Sequence, residues 1–154
     1  MIGHLSAPVP AHFKATNMRP SCQFKIAWGD CDPSGLVHHP RCFYWMDTAL
    51  QTLLHKLDLN HHTLVKRYGA HIPIVQTHAQ FFAPATYDQT LTVEVKISHW
   101  SAKSFRIEYT GLHGDETIFQ GYEARAWVII HDDGSIAATI IPTEFRETVC
   151  AAGI

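Results

Sequence analysis

The spacing of apolar residues divides the chain into one helical stretch set among extended ones. Between 22 and 28, apolar side chains occupy alternate positions, with Gln23 and Lys25 between them, which is the period of a half-buried strand. From Pro40 the period changes to 3.6, and one stripe contains Phe43, Met46, Leu50, Leu53, Leu54 and Leu57. The pattern therefore predicts a strand, a break over 29–35 and one long helix.

The rest of the chain is typical of strands separated by turns. After a short helical or irregular piece at 63–68, extended segments are expected at 72–82, 91–97, 105–109, 118–131 and 136–141. Asp-Asp-Gly at 132–134 favours a hairpin turn, and Pro142 favours the start of a C-terminal helix over 143–150. On the longest strand, Glu123, Arg125 and Trp127 are expected on the outer face. Because one helix cannot cover both faces of such a sheet, the sheet is expected to curl around it.

Length and charge narrow the class of protein. A chain of 154 residues fits one domain, and the prolines at 8, 10 and 20 predict an irregular arm over 1–20 before a single domain over 21–154. The net charge of −2 gives no field that would hold a nucleic acid or an anionic membrane. No apolar run approaches the roughly 20 residues of a membrane span, and 1–21 lacks the core of an export signal. We therefore expect a cytoplasmic protein without nucleic-acid or membrane partners.

The 12 histidines and 4 cysteines raise the question of a metal site. The cysteines lack CxxC spacing, so reduced thiols are expected. The histidines include adjacent pairs, His38 with His39 and His61 with His62, instead of the i, i+4 spacing by which a helix offers two ligands to one ion. The spacing therefore predicts no bound metal.

Candidate chemistry concentrates in WGDCDPSGLVHHP, which joins the first strand to the long helix. If Pro40 is the first helical residue, His39 occupies the cap position, where Ser, Thr, Asp or Asn would normally accept a hydrogen bond. Amide groups in the first helical turn have no intrahelical partner, and the helix dipole adds about half a positive charge there. Such donors can hold an oxyanion or simply bind water, and Asp-Pro-Ser-Gly at 32–35 is also an ordinary turn sequence. Both interpretations remain open at this point.

The order of motifs resembles one known family. WGDCDPSG, a helix that starts after HHP and contains WMDTAL, then IPIV, FFAPATYDQTLTVEV and HWSAKSF are similar to segments of the hot-dog-fold thioesterases, in the branch of the 4-hydroxybenzoyl-CoA thioesterases. The resemblance implies an α+β hot-dog fold, with one long central helix wrapped by a curved antiparallel sheet of five to six strands. It also implies hydrolysis of an acyl-CoA thioester to free acid and CoA without a cofactor, with an aromatic acyl group such as 4-hydroxybenzoyl as one possibility. The expected assembly is a homodimer or a dimer of dimers, such as a homotetramer, with active sites between subunits.

Two catalytic groups follow from the resemblance. Asp32 occupies the position of the catalytic carboxylate, which can attack the thioester carbonyl or take a proton from water. The backbone N–H of His39 is the group that would polarise the carbonyl in an oxyanion hole. Asp30, two residues before Asp32, is expected to order the loop.

Further residues are candidates for substrate binding. Gly35 either lets the loop backbone approach a ligand or is a plain turn glycine, and His38 either assists at the site or is a solvated loop residue. Asp47 either faces a polar group of the acyl chain or pairs with a base across the dimer. Ile72 makes one pocket wall apolar, which weakens the expectation of a hydroxybenzoyl substrate. Lys103 matches a basic position for the CoA phosphates, with Ser104 beside it, although Ser101 and Ala102 stand where relatives have arginines.

Two other functions compete with hydrolysis. Hot-dog enoyl-CoA hydratases have a signature similar to GDxNPxH, in which Asp and His form a dyad, whereas this chain has Asp32 and Gly35 at the positions of Asn and His. A non-catalytic acyl-CoA-binding domain is the second alternative. Release of free thiol from acyl-CoA separates hydrolysis from both.

Overall fold

The structure, a computed structural model, describes residues 19–154, so the predicted arm lies outside the described residues apart from Arg19 and Pro20. No helix within this part of the chain is long and apolar enough to cross a membrane. In chain order the elements are β1 (Ser21–Lys25), a 3-10 turn (Trp28–Asp30), α1 (Pro40–Lys56), α2 (His61–Tyr68), β2 (Ala70–His71), β3 (Ile74–Phe81), β4 (Thr90–Trp100), β5 (Ser104–His113), β6 (Glu116–Ala126), β7 (Val128–Ile130), β8 (Ile136–Ala138) and α3 (Thr143–Ala151).

A five-stranded antiparallel sheet and α1 make up most of the fold. The strand order is β1-β4-β5-β6-β3, which leaves β3 at one edge of the sheet. The 17-residue helix α1 contacts β1, β3, β4 and β6. The predicted α+β class, the strand count and the helix starting at Pro40 are confirmed.

Alternation along the strands forms the core beneath α1. Buried positions recur every second residue in β4 and β5, and the apolar stripe of α1 packs against them; these positions are Leu91, Val93, Val95, Ile97, Phe105, Ile107 and Tyr109 in the sheet and Cys42, Trp45, Met46, Ala49, Leu50, Leu53 and Leu54 in the helix. Burial of such side chains contributes roughly 1.5–3 kcal/mol each, which outweighs the weak intrinsic preference of any one residue. The core therefore fixes the position of α1 on the sheet.

The predicted strand over 118–131 is divided in two. β6 ends at Ala126 and β7 belongs to a second, three-stranded sheet of order β2-β7-β8. At the break, Trp127 is 1% exposed and packs on Phe145 of α3, with 4.7 Å between ring centroids. Burying this large ring against α3 explains why the chain leaves the main sheet at this point.

Two burial predictions were wrong. Trp28, expected to continue the first strand, lies in the 3-10 turn and is 79% exposed. Glu123, Arg125 and Trp127, expected on the outer face of the sheet, are all buried. They share the alternation phase of Phe119, and the two charged residues are accommodated inside because they pair with each other.

Candidate functional site

The loop between β1 and α1 is held by Asp30, as expected from the sequence. Its carboxylate is 6% exposed, accepts a hydrogen bond from the Ala27 N–H at 2.8 Å and pairs with the guanidinium of Arg41 in the first turn of α1. Its backbone carbonyl accepts a bond from the His38 N–H at 2.9 Å. Asp30 thus ties the end of β1 to the start of the helix.

Asp32 projects from a tight turn inside this loop. Its backbone carbonyl accepts a bond from the Gly35 N–H at 2.9 Å, and Gly35 has a φ of +80°, a conformation that favours glycine. The Asp32 carboxylate accepts bonds from the Ser34 N–H at 2.8 Å and from the Ser34 hydroxyl. The Ser34 hydroxyl, with the Ser34 N–H and the nearby His38 adding smaller effects, lowers the pKa of Asp32 below its ordinary value. This carboxylate is therefore ionised at neutral pH.

The start of α1 carries an unused donor. His39 caps the helix without a side-chain hydrogen bond, and within residues 19–154 its N–H has no hydrogen-bond acceptor. The next residue, Pro40, has no N–H, so the opening of the helix is an electropositive position with one free amide. The rings of His38 and His39 pack edge to face, 5.2 Å apart.

A cavity of about 360 Å³ adjoins this helix start. Its wall is mostly apolar and contains His39, Cys42, Trp45 and the chain after β3, including Phe81 and Phe82. Leu36 also lines the cavity, and its carbonyl accepts the Asp32 N–H at 2.9 Å. Asp32 therefore stands beside the mouth of a largely apolar pocket that contains the free amide.

Asp47 and Ile72 belong to a second cavity, of about 570 Å³, further along α1. The sequence left two roles open for Asp47, a contact with a polar group of the acyl chain or a pair with a base across the dimer. Its carboxylate does pair with a base, Arg125 Nη2 at 2.5 Å, but within the same chain. Ile72 is 7% exposed, and its carbonyl accepts a bond from Arg125 Nη1 at 3.1 Å. The predicted apolar wall is therefore next to a charged one.

Lys103 and Ser104 line neither of these cavities and lie at the tip of the β4–β5 hairpin. This tip is at the end of β4 opposite to the Asp32 loop, and an 11-residue strand spans about 35 Å. Lys103 is exposed, and Arg146 of α3 donates to the Ser101 carbonyl at 2.9 Å with its guanidinium 5.1 Å from the Trp100 ring centroid. A single chain thus does not bring Lys103 near Asp32.

Sequence reasoning missed three residues of these sites. Arg41 gave no signal beyond its place in the first helical turn. Glu123 and Arg125 were assigned to the wrong face because charged side chains are usually exposed. Glu123 and Arg125 are an even number of positions from Phe119 and Trp127, so in an extended segment all four side chains lie on the same face. This spacing was the signal that could have indicated burial.

Comparisons with known proteins show the family of this chain. Residues 26–149 match the family model described as the thioesterase-like superfamily. A 4-hydroxybenzoyl-CoA thioesterase of Pseudomonas sp. (strain CBS-3) is 33% identical over 132 residues, which cover 81% of this chain and 93% of the relative. The chain belongs to the thioesterase-like superfamily.

Solved structures support the same placement of this thioesterase. The 4-hydroxybenzoyl-CoA thioesterase from Pseudomonas sp. strain CBS-3 superimposes with a TM-score of 0.75 and 31% identity, covering 85% of this chain and 99% of the other. A gentisyl-coenzyme A thioesterase superimposes with a TM-score of 0.72 and 27% identity, covering 84% and 98%. The resemblance stated from the motifs and the hot-dog fold are confirmed.

Proposed function

We propose that this thioesterase hydrolyses an aromatic acyl-CoA to the free acid and CoA, with Asp32 as nucleophile or base and the His39 N–H as oxyanion donor. Hydrolysis of acyl-CoA thioesters is the activity that the family membership and the 33% identical relative support. The observation that carries the residue roles is the free amide of His39 in an apolar pocket beside an ionised carboxylate.

The chemistry follows from these two groups. As an oxygen adds to the thioester carbon, negative charge develops on the carbonyl oxygen, and a fixed N–H at a helix start stabilises that charge without reorganisation. Asp32 supplies the oxygen directly or removes a proton from the attacking water. Ser34 holds the carboxylate in one orientation and keeps it ionised. Gly35 and His38 would border the bound thioester, and no metal or cofactor takes part in this proposal.

The exposed edge of the sheet supports a shared site between two copies. β3 is exposed at 7 of its 8 positions, including Ile74 at 43% and Phe81 at 47%. Such an edge strand pairs readily with another copy of itself. A twofold axis through the middle of β3 would place Ile74 of one copy beside Phe81 of the other. The cavity containing Phe81 and His39 would then be continuous with the partner's cavity containing Ile74, Ile72 and Asp47.

This pairing gives every predicted substrate-binding residue a place in one site. The thioester would lie at the helix start of one copy, and the acyl group would extend into the cavity of the other, toward Asp47 and Ile72. The same rotation carries the hairpin tip of the partner to the end of the sheet where Asp32 lies. Lys103 and Ser104 of the partner subunit, with Arg146 of the partner subunit next to them, would then face the CoA phosphates. A homodimer, or a dimer of dimers forming a homotetramer, and a cytoplasmic location complete the proposal.

A panel of CoA esters tests the proposed reaction. Benzoyl-, 4-hydroxybenzoyl-, phenylacetyl- and short aliphatic CoA esters are incubated with the full chain, and released thiol is measured with a disulfide reagent. We expect stoichiometric thiol release, faster with the benzoyl and 4-hydroxybenzoyl esters than with the phenylacetyl and aliphatic ones, and the same rate after treatment with EDTA. Binding of the esters without thiol release would contradict hydrolysis and favour the binding-domain alternative.

The contact between Asp32 and Ser34 predicts a shift in the pH profile. In Ser34→Ala the hydroxyl donor is lost, so the pKa of Asp32 rises toward the ordinary value of an aspartate. Activity requires the carboxylate and is lost as pH falls through its pKa, so the acid limb of kcat/KM should move to higher pH. Ser135→Ala is the matched control, because Ser135 makes the same two bonds to Asp133 in the turn between β7 and β8, outside the cavity at the start of α1. An unmoved acid limb in Ser34→Ala would show that Asp32 does not set it.

A further inference from the structure

A buried ionic cluster connects the sheet to the second cavity. Glu123 and Arg125, both on β6, are 1% and 3% exposed. The Glu123 carboxylate accepts bonds from the Tyr109 hydroxyl at 2.9 Å and from Arg125 Nε at 3.0 Å and Nη2 at 2.7 Å. Burial raises the pKa of Glu123, while Arg125 and Tyr109 oppose that rise by bonding to its ionised form. The buried carboxylate of Glu123 therefore holds the guanidinium of Arg125 in one position.

The guanidinium of Arg125 also bonds to two residues that line the second cavity. Arg125 Nη2 donates to Asp47 Oδ1 on α1 at 2.5 Å, and Nη1 donates to the carbonyl of Ile72 at 3.1 Å. Asp47 and Ile72 come from different parts of the chain, the helix and the connection between β2 and β3. Arg125 thus sets the separation between the polar and the apolar wall of the cavity.

Asp47 itself retains capacity to bind a ligand. Its side chain is 45% exposed and lines the cavity of about 570 Å³. Oδ1 takes the contact with Arg125 and a long contact with Gln51 Nε2 at 3.4 Å, and within residues 19–154 Oδ2 has no hydrogen-bond partner. An exposed Asp–Arg pair would be mobile, but here the arginine is immobile. Two carboxylates share one guanidinium, so the cluster has a net negative charge and favours a hydrogen-bond donor.

We propose that Arg125 is a positioning residue for acyl-group recognition: anchored by Glu123 and Tyr109, it orients Asp47 so that its free oxygen accepts a hydrogen bond from a hydroxyl on the acyl group. This inference rests on the proposed function, because the acyl group must enter this cavity. It assigns a role in substrate selection to three buried residues that act through Asp47; of these, Arg125 also lines the cavity, whereas Glu123 and Tyr109 do not.

The test compares two esters that differ by one hydroxyl, 4-hydroxybenzoyl-CoA and benzoyl-CoA. The double variant Glu123→Gln/Arg125→Gln removes both charges together, which avoids leaving one buried charge unpaired. We expect its ratio of kcat/KM values, hydroxylated over plain ester, to fall about tenfold, the scale of losing a charge-assisted hydrogen bond. Arg106→Gln/Glu108→Gln is the matched control, because this Arg–Glu pair has the same spacing on β5 but is exposed. Its ratio should equal that of the wild type.

A double-mutant cycle separates positioning from a merely structural role. In an Asp47→Ala background the Glu123/Arg125 substitutions should leave the ratio unchanged, because Asp47 is the residue through which they act. A further tenfold drop there, an unchanged ratio in the double variant, or a wild-type ratio near one would overturn the inference. If the double variant does not fold, Tyr109→Phe, which keeps both charges, should lower the ratio about two- to threefold, and an unchanged ratio would again overturn it. Failure of the proposed function is distinct, since neither ester would then release thiol.

Discussion

Asp32→Asn should lower kcat by about 10²-fold or more while leaving the fold and the assembly intact. The amide has nearly the same shape as the carboxylate, and its oxygen can still accept the Ser34 N–H that now bonds Asp32 at 2.8 Å. The substitution removes the negative charge, so the side chain can no longer attack the carbonyl or remove a proton from water. Thiol release under saturating benzoyl-CoA, with circular dichroism and size-exclusion chromatography on the same sample, measures the effect.

The chain contains a matched control for this substitution. Asp133 accepts hydrogen bonds from the N–H and hydroxyl of Ser135, and the hydroxyl lowers its pKa for the same reason as in Asp32. It lies in the turn between β7 and β8, away from the start of α1. Asp133→Asn should therefore retain full activity. Full activity in Asp32→Asn as well would remove Asp32 from the mechanism.

Charge added to β3 should abolish activity without touching either catalytic group. In Val75→Lys/Thr77→Lys, lysines from both copies would lie along the paired edge strands, where their like charges repel and lysine blocks pairing. Val75 is 63% exposed, so the substitution should not disturb the core of one chain. We expect a monomer by analytical ultracentrifugation and a loss of kcat/KM of at least about 10²-fold, because the acyl half of the site comes from the other copy.

Ile140→Lys is the control for this second prediction. Ile140 is 69% exposed and lies after β8, outside both cavities. The variant should remain a dimer or larger and keep its activity. A monomeric β3 variant with full activity would contradict the shared site, although it would leave the roles of Asp32 and His39 in place.

The sequence predicted helices and strands most accurately where the spacing of apolar residues matches the residues that are buried in the structure. The start of α1 could be predicted because Pro40 and the apolar stripe both indicate it, and the strands β4 and β5 because their alternation is regular. The free amide at His39 followed from the absence of a capping side chain in HHP. Each of these features depends on residues within a few positions of one another.

Features that depend on distant residues were not predictable in this way. Alternation along β6 shows that successive side chains lie on opposite faces of the sheet, but it does not show which face is buried. Glu123 and Arg125 were therefore assigned to the exposed face. They are buried because Tyr109 bonds to Glu123 and Asp47 bonds to Arg125. The end of β6 depends on Trp127 packing against α3, about 20 residues later. The proposed pairing of the two cavities across a dimer depends on which strand is at the sheet edge, and the alternation of apolar residues along the chain does not reveal that strand.

A crystal structure of the Asp32→Asn variant with uncleaved benzoyl-CoA would show whether residue 32 and the His39 N–H flank the same thioester carbonyl. We expect the thioester oxygen about 2.7–3.2 Å from the His39 nitrogen, with the side chain of residue 32 on the open side of the carbonyl carbon. We also expect the benzoyl ring in the cavity that contains Asp47 of the partner subunit. A thioester bound away from the first turn of α1, with the His39 amide facing water, would contradict the proposed mechanism.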